Sequence, residues 1–236
     1  MGPTTMHEHL DNLARLRGAG TRDEPFFDRV RSLKLWQRGR LARTYPDLAA
    51  EPRYAAAVAF FLDELYGGKD SALRDADLRK MAPTIKRLLP AFAYRTVSDA
   101  LELDVLAEEF DQALARNIGD KAITPERYVA AFAATGRKAD RLRQVQLMRT
   151  VGEGLDRMVQ QPLIYPTLRM LRKPARLAGL EHMQQFLEAG FTAFRKMKGA
   201  VHFLDTIAAR ETALIERIFA GNPAPFAGLA NVGDVH

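Results

Sequence analysis

Glu211 is a carboxylate in a place where a helical pattern calls for an apolar side chain. In the segment AVHFLDTIAARETALIERIF, residues 200–219, Ala200, Leu204, Ile207, Ala208, Leu214, Ile215 and Ile218 recur at helical spacing. Glu211 lies in the middle of that stripe, three residues after Ala208 and four before Ile215. A carboxylate removed from water there needs an arginine, a hydrogen-bond donor, a metal or a proton. Arg210 projects from the stripe's edge and cannot turn onto its immediate neighbour. The partner is therefore expected from another helix, with Arg53, Arg74, Arg95 and Arg169 as candidates.

A pair of carboxylates, Asp63 and Glu64, lies in the stretch FFLDELYG, residues 60–67. On a helical wheel Tyr54, Val58, Phe61 and Leu65 make one apolar face, and only Arg53, Asp63 and Glu64 are charged. A helix apolar nearly all round packs on several sides. Asp63 and Glu64 then either pair with nearby arginines on its least buried edge or line a pocket. In a pocket, desolvation would raise their proton affinity. Tyr66, beside them, is a candidate proton donor, as are Tyr94, Tyr128 and Tyr165. Asp63, Glu64, Tyr66, Arg210 and Glu211 are the candidates for ligand contact or buried ion pairs.

His202 and Asp205 are three residues apart on the side of their helix opposite Glu211, and such a pair can hold a metal or a hydrogen bond. A four-helix di-metal centre would show Glu-x-x-His on two helices, and the chain has no such tetrapeptide. His202 and Asp205 are weak metal candidates, with Glu64 and Glu109 as conceivable companions. No GxxxxGK[ST], no strand-linked GxGxxG and no GxSxG elbow is present, so neither nucleotide fingerprint nor the usual serine hydrolase applies. Without cysteine there is no disulfide, thiolate metal site or cysteine nucleophile.

The net charge of +6 is unevenly spread: residues 98–111 hold six acids and no base, whereas 137–176 are strongly basic. These regions either face each other or face solvent separately. Within ITPERYVAAFAATGRKADRLRQVQLMRT, helix, short glycine turn and helix outline a helix-turn-helix at 125–158, with Lys138, Arg141 and Arg143 near the start of the second helix as anion or nucleic-acid contacts. That second helix is long for a recognition helix. In YPTLRMLRKPARLAG, Arg169, Arg172 and Lys173 sit beside Leu168 and Leu171 and suit anionic lipid or phosphate, or else a solvated turn.

Positioning these residues falls to helices, since no segment alternates with a two-residue period. The pattern predicts helices at about 6–17, 26–43, 52–66, 75–89, 97–116, 125–134, 138–158, 175–196 and 200–219. Their signals include Thr124-Pro125 as N-cap and first turn, Ser98 as another N-cap, Gly67-Gly68 as a stop and Pro83 as a kink. The fold class is all-α, a single-domain multi-helix bundle of about eight or nine helices over residues 1–220, followed by a flexible tail at 221–236. Val159 to Lys173 is the most plausible seam. Ala178, Gly179, Ala189, Gly190 and Ala193 would let another helix approach, so a homodimer is conceivable. The longest apolar run, Ala55 to Leu62, is far short of the roughly 20 residues of a membrane span. The first residues lack a secretory apolar core, which makes the cytoplasm the default.

FFLDELYG at 60–67, RDADLRKMAPTIKRLLP at 74–90 and HFLDTIAARE at 202–211 together resemble a bacterial family named for an FFLEELY motif. Asp63 stands where the family name has Glu, and Glu64 matches. The resemblance spans about Tyr54 to Phe219. It implies a bacterial cytosolic protein and carries over no catalytic residue, cofactor or fold.

The leading functional reading is a non-catalytic binding or interaction module, with Glu64 and Glu211 holding its core through ion pairs. Its partner would be another protein or an anionic ligand. The alternatives are a small-molecule or metal-binding enzyme of haem-oxygenase-like or ferritin-like kind, its cofactor unspecified, and a DNA-binding protein using 125–158.

Overall fold

A computed structural model describes residues 5–18, 24–66 and 71–231. Every regular element among them is helical. In chain order these are α1 (Met6–Gly18), α2 (Glu24–Thr44), α3 (Pro46–Ala50), α4 (Ala55–Phe60), α5 (Ser71–Leu88), α6 (Ala91–Ile118), α7 (Pro125–Ala134), α8 (Lys138–Val159), α9 (Ile164–Met170), α10 (Arg172–Leu177), α11 (Glu181–Met197) and α12 (Val201–Phe219). The fold is all-α, with more helices among the described residues than the eight or nine expected.

Several boundaries obey the sequence signals. α7 starts at Pro125, and the Thr124 hydroxyl accepts a hydrogen bond from the Arg127 backbone N–H at 3.3 Å, as an N-cap should. Others differ. α6 begins at Ala91, directly after Pro90, and Ser98 lies inside it. No helix breaker occupies 91–97, and Ala93 and Thr96 are buried there, so packing extends the helix past the local cap signal. The segment expected as a seam turns at 160–163 and is then helical from Ile164 on, with one turn residue at Leu171. Pro166 and Pro174 fall in the first turns of α9 and α10, where a helix tolerates the missing N–H. α5 continues through position 83. Gly67 and Gly68 lie outside the described residues.

The FFLDELYG stretch leaves the α pattern. α4 ends at Phe60, and Phe61–Leu65 form one wide π turn. Such a turn inserts an extra residue and rotates the faces of the neighbouring turns relative to each other, a feature frequent near functional sites.

Three apolar clusters form the core. One joins α2 (Phe26, Val30, Leu33), the end of α6 (Leu114, Ile118), α7 (Tyr128, Phe132) and the end of α12 (Leu214, Ile215, Ile218). A second joins α3, α4, α11 and the start of α12, around Leu48, Tyr54, Phe194 and Phe203. The third joins α1, α5 and the first half of α6. Leu229 is buried in the first cluster, and Arg217 donates to the carbonyls of Pro225 and Ala227 at 3.3 and 2.6 Å, so the segment after α12 packs on the bundle as far as Leu229.

α8 crosses both α6 and α12 closely, and two glycines permit this. A Cβ at Gly152 would run into the Leu204 side chain, and one at Gly154 into Thr96. Gly190 likewise faces the Phe60 ring, 3.0 Å from where a Cβ would stand, so this part of the small-residue face is filled from within the chain.

Candidate functional site: an internal polar layer

α12 contributes Phe203 and Leu204 to one apolar cluster and Leu214, Ile215 and Ile218 to another, and Arg210 and Glu211 lie between. α6 repeats the arrangement: Glu108, Asp111 and Gln112 are buried between Val105 and Leu114. α2 does so as well, with Gln37, Arg40 and Thr44 continuing the stripe begun by Phe26, Val30 and Leu33. A layer of polar side chains therefore runs through the bundle, on the same faces that carry its apolar core.

Glu211 is gripped by Arg40. Arg40 Nη2 donates to Oε2 at 3.0 Å and Nη1 to Oε1, while the Tyr45 hydroxyl donates to Oε1 at 2.6 Å. The partner does come from another helix, but it is none of Arg53, Arg74, Arg95 and Arg169. α2 lies alongside the end of α12, and Arg40 is the cation at the right height. Arg53 instead donates to the carbonyl oxygens of Met197 and Gly199 at the end of α11. Burial, then the Glu211 charge, push the Tyr45 hydroxyl well above its ordinary range, so it stays a donor.

Arg210 does not project from an edge. It is fully buried, at 0% exposure, and donates to Asp47 through Nη1 and Nη2, both at 2.7 Å, and to the Thr44 carbonyl at 3.0 Å. The Arg210 hydrogen bonds hold the Asp47 carboxyl below its usual range. Asp47 sits in the first turn of α3, where the helix dipole also favours a negative charge. Adjacent residues of α12 thus reach opposite ways, Glu211 to α2 and Arg210 to α3.

At the other end of the layer Lys34 donates to Glu108 at 2.8 Å and lies 3.8 Å from Asp111, and Gln37 Nε2 donates to Asp111 at 3.1 Å. Arg17 of α1 adds bonds to Glu108 at 3.3 Å and Asp104 at 2.6 Å, and pairs with Asp75. Burial raises the Asp111 carboxyl to about 6, with the Glu108 charge adding to it, against the pull of Lys34, Gln37 and Arg141. Burial would raise Glu108 too, but Lys34 and Arg17 outweigh it and hold that carboxyl below its ordinary range. Tyr66, just after the π turn, feels the charges of Asp111, Arg40 and Glu211. Burial first, then Asp111, push its hydroxyl far above the ordinary range.

Of the remaining sequence candidates, Asp63 pairs with Arg38 at 2.7 Å on the surface. Glu64 is half-buried, and its charge acts on Arg74. His202 stacks on Tyr54 with ring centroids 6.0 Å apart, and Asp205 pairs with Arg149 at 2.8 Å. Among the described residues no three His, Asp or Glu side chains gather as a group that could hold a metal ion. Lys138 pairs with Glu216 at 2.6 Å, Arg143 pairs with Glu102, and Arg137 donates to Glu109 at 2.9 Å. The acidic stretch of α6 and the basic start of α8 therefore face each other. Arg141 is buried. On α9 and α10, Arg169 and Lys173 are exposed, and Arg172 pairs with Glu188 of α11.

Arg40, Tyr45, Asp47, Gln37 and Asp111 escaped sequence reasoning. The signal for two of them was present: Gln37 and Arg40 extend the four-and-three spacing of the α2 apolar stripe, as Glu211 interrupts that of α12.

An all-α bundle tied across its middle by buried ion pairs is the class of protein that fold and site define. The model of a family described as a domain of unknown function, DUF8198, matches residues 17–225, and the chain belongs to that family. The match includes the three stretches that carry the FFLEELY resemblance. No curated protein and no solved structure matches the chain. No helix among the described residues is long and apolar enough to cross a membrane.

Proposed function

We propose that this chain is a non-catalytic interaction module that docks an amphipathic helix with acidic flanks, supplied by a partner protein, on the seam formed by α9 and α10. One observation carries the reading. Leu163, Met170 and Leu177 are 76%, 79% and 88% exposed and recur every seven residues. Neither α9 nor α10 buries a residue against the rest of the bundle. Leu163 directly precedes α9, and Met170 and Leu177 end α9 and α10, so large apolar side chains stand out along both short helices, a surface that a partner covers. Arg169, Lys173 and Arg176 are exposed beside it, so the complementary partner is acidic. A second copy of this chain would bring the same cations against them. An interfacial membrane helix needs a broader apolar face than a line of three residues.

The internal polar layer supports the non-catalytic part of the reading. Its carboxylates Glu211 and Glu108, and the exposed Asp47 at its margin, are each occupied by arginine or lysine, which suits bracing of the fold. Duplex DNA binding through 125–158 has less support, since Lys138 and Arg143 are paired with acids of this chain and Arg141 is buried.

The test is fluorescence anisotropy of a labelled model helix with a leucine heptad seam and glutamate flanks. Saturable binding that weakens with salt and is lost in Met170→Glu supports the reading. Equal binding by that variant overturns it. So does binding of phosphatidylglycerol vesicles in place of the peptide.

A further inference from the structure

Arg141 is only 5% exposed, yet among the described residues no carboxylate of this chain pairs with it. Its guanidinium carbon lies 3.6 Å from the centroid of the Phe110 ring and 4.1 Å from that of Phe132. Aromatic rings therefore cover both faces of the plane, an arrangement that favours a cation. Nε and Nη2 are buried and have no hydrogen-bond partner among the described residues. Buried donors without partners destabilise the fold, the more so when they carry a charge.

Those two atoms form one edge of the guanidinium, and the parallel N–H bonds of such an edge match two oxygens of an oxyanion. This protein uses that edge elsewhere: Nε and Nη2 of Arg172 grip the two oxygens of Glu188, and Nε and Nη2 of Arg143 both donate to Oε1 of Glu102. Gln37 Oε1 and Arg40 Nε, in the same polar layer, are further buried atoms without a partner among the described residues. Hydrogen bonding within the chain accordingly leaves unmatched groups on two elements that both pack on α6, namely α2 and α8.

We propose that the Nε–Nη2 edge of Arg141 is the receptor for a small oxyanion, a carboxylate by preference, held in the plane of the guanidinium between Phe110 and Phe132. A carboxylate is planar and extends the layer that the two rings already clamp, whereas a tetrahedral phosphate is thicker. Asp111 faces the same interior and is pushed up to about 6, so below that pH a bound anion meets a neutral neighbour. The site belongs to α6, α7 and α8 and is independent of the α9–α10 seam, so failure of either proposal leaves the other standing.

The experiment uses the full chain labelled with nitrogen-15, observed at the arginine Nε–H resonances during titration with sodium acetate. Sodium chloride holds the ionic strength constant. The expected result is a saturable shift of one resonance that is absent from Arg141→Lys and carries the ring-current displacement of a group clamped between two aromatic faces. That displacement identifies Arg141 in the wild-type protein even when the variant does not fold. Acetate should also raise the melting temperature of the wild type and leave that of Arg141→Lys unchanged. A parallel titration with sodium phosphate distinguishes the sources: response to phosphate alone retains the oxyanion receptor and overturns the preference for carboxylate. No saturable response to either anion overturns the proposal and leaves Arg141 as a structural cation.

Discussion

Arg40 and Glu211, 171 residues apart in sequence, meet in a two-point ion pair between α2 and α12, and Tyr45 closes the third side of the carboxylate. The pair sits where the apolar stripes of both helices are interrupted, so the two interruptions answer each other. An unpaired charge at either position would be expensive, and the register in which both are paired is the one observed. Such a layer adds little net stability compared with apolar packing, but it penalises sliding or rotation of one helix against the other. Arg210 and Asp47 repeat the device one residue away in another direction, fixing α12 to α3.

Glu211→Gln should cost about 3–5 kcal/mol, because the buried Arg40 charge then lacks its counter-charge. The double variant Arg40→Met, Glu211→Leu should recover much of that loss, since the charges are removed together and apolar volume is retained. Urea denaturation of the wild type and both variants measures the two quantities. A single variant with an unchanged midpoint would show that the pair does not hold α2 and α12 together.

Gly154→Ala should destabilise the fold by about 1–3 kcal/mol, since the new Cβ overlaps the Thr96 side chain at the α8–α6 crossing. Thr96 cannot swing away freely, because its hydroxyl donates to the Phe92 carbonyl at 3.0 Å. The same substitution at Gly136, at a turn with open space around it but φ of +67, should destabilise through backbone strain alone. Combining Gly154→Ala with Thr96→Ala, which removes both the hydroxyl and the methyl that the new Cβ meets, separates the two causes: it should relieve the first variant, which thermal unfolding would detect. An unrelieved double variant counts against the overlap.

Lys198 ends α11 in the left-handed region, at φ 52 and ψ 45. A side chain there costs roughly 1–2 kcal/mol that glycine avoids, so Lys198→Gly should raise the melting temperature by a few degrees. Arg53, which bonds the Met197 and Gly199 carbonyls on either side, holds the turn in place and should be unaffected. A lower melting temperature in Lys198→Gly would mean that the lysine side chain makes a stabilising contact of its own.

Local patterns carried much of the fold. α7 was legible to the residue because Thr124-Pro125 is a self-contained start signal, and α8 and α12 have long, regular apolar periods. Glu211 stood out because its own helix marks it as misplaced. Its partner did not, because nothing within α12 encodes which helix lies opposite. The π turn at Phe61–Leu65 was equally hidden: its residues read as ordinary helix formers, and the extra residue shows only in the hydrogen bonding. Arg141 has the sequence context of an outward contact, near a helix start in a basic run. The packing of α8 along α6 turns it inward, where Phe110 and Phe132 receive it.

Asp111 makes stability depend on pH in a direction opposite to that of an ordinary salt-bridged carboxylate. Its carboxyl is pushed from the usual 3.8 to about 6. Below about 4 it is protonated in both folded and unfolded chains, and the contribution of its neutral form is fully present. As pH rises through about 6 the folded protein must carry a buried negative charge, faced by Lys34, Gln37, Glu108 and Arg141, and that contribution is lost. The shift corresponds to a cost of about 3 kcal/mol above pH 7. Asp111→Asn keeps an oxygen to accept from Gln37, and Lys34 keeps Glu108 at 2.8 Å, so little else changes. The variant should therefore be more stable than the wild type at pH 8, by up to about 3 kcal/mol, with the advantage fading between pH 6 and pH 4. Chemical denaturation of both proteins across that range measures the difference directly, and other titrating groups cancel in it. A difference that stays flat with pH would mean that Asp111 ionises in its ordinary range and that Lys34 neutralises it fully.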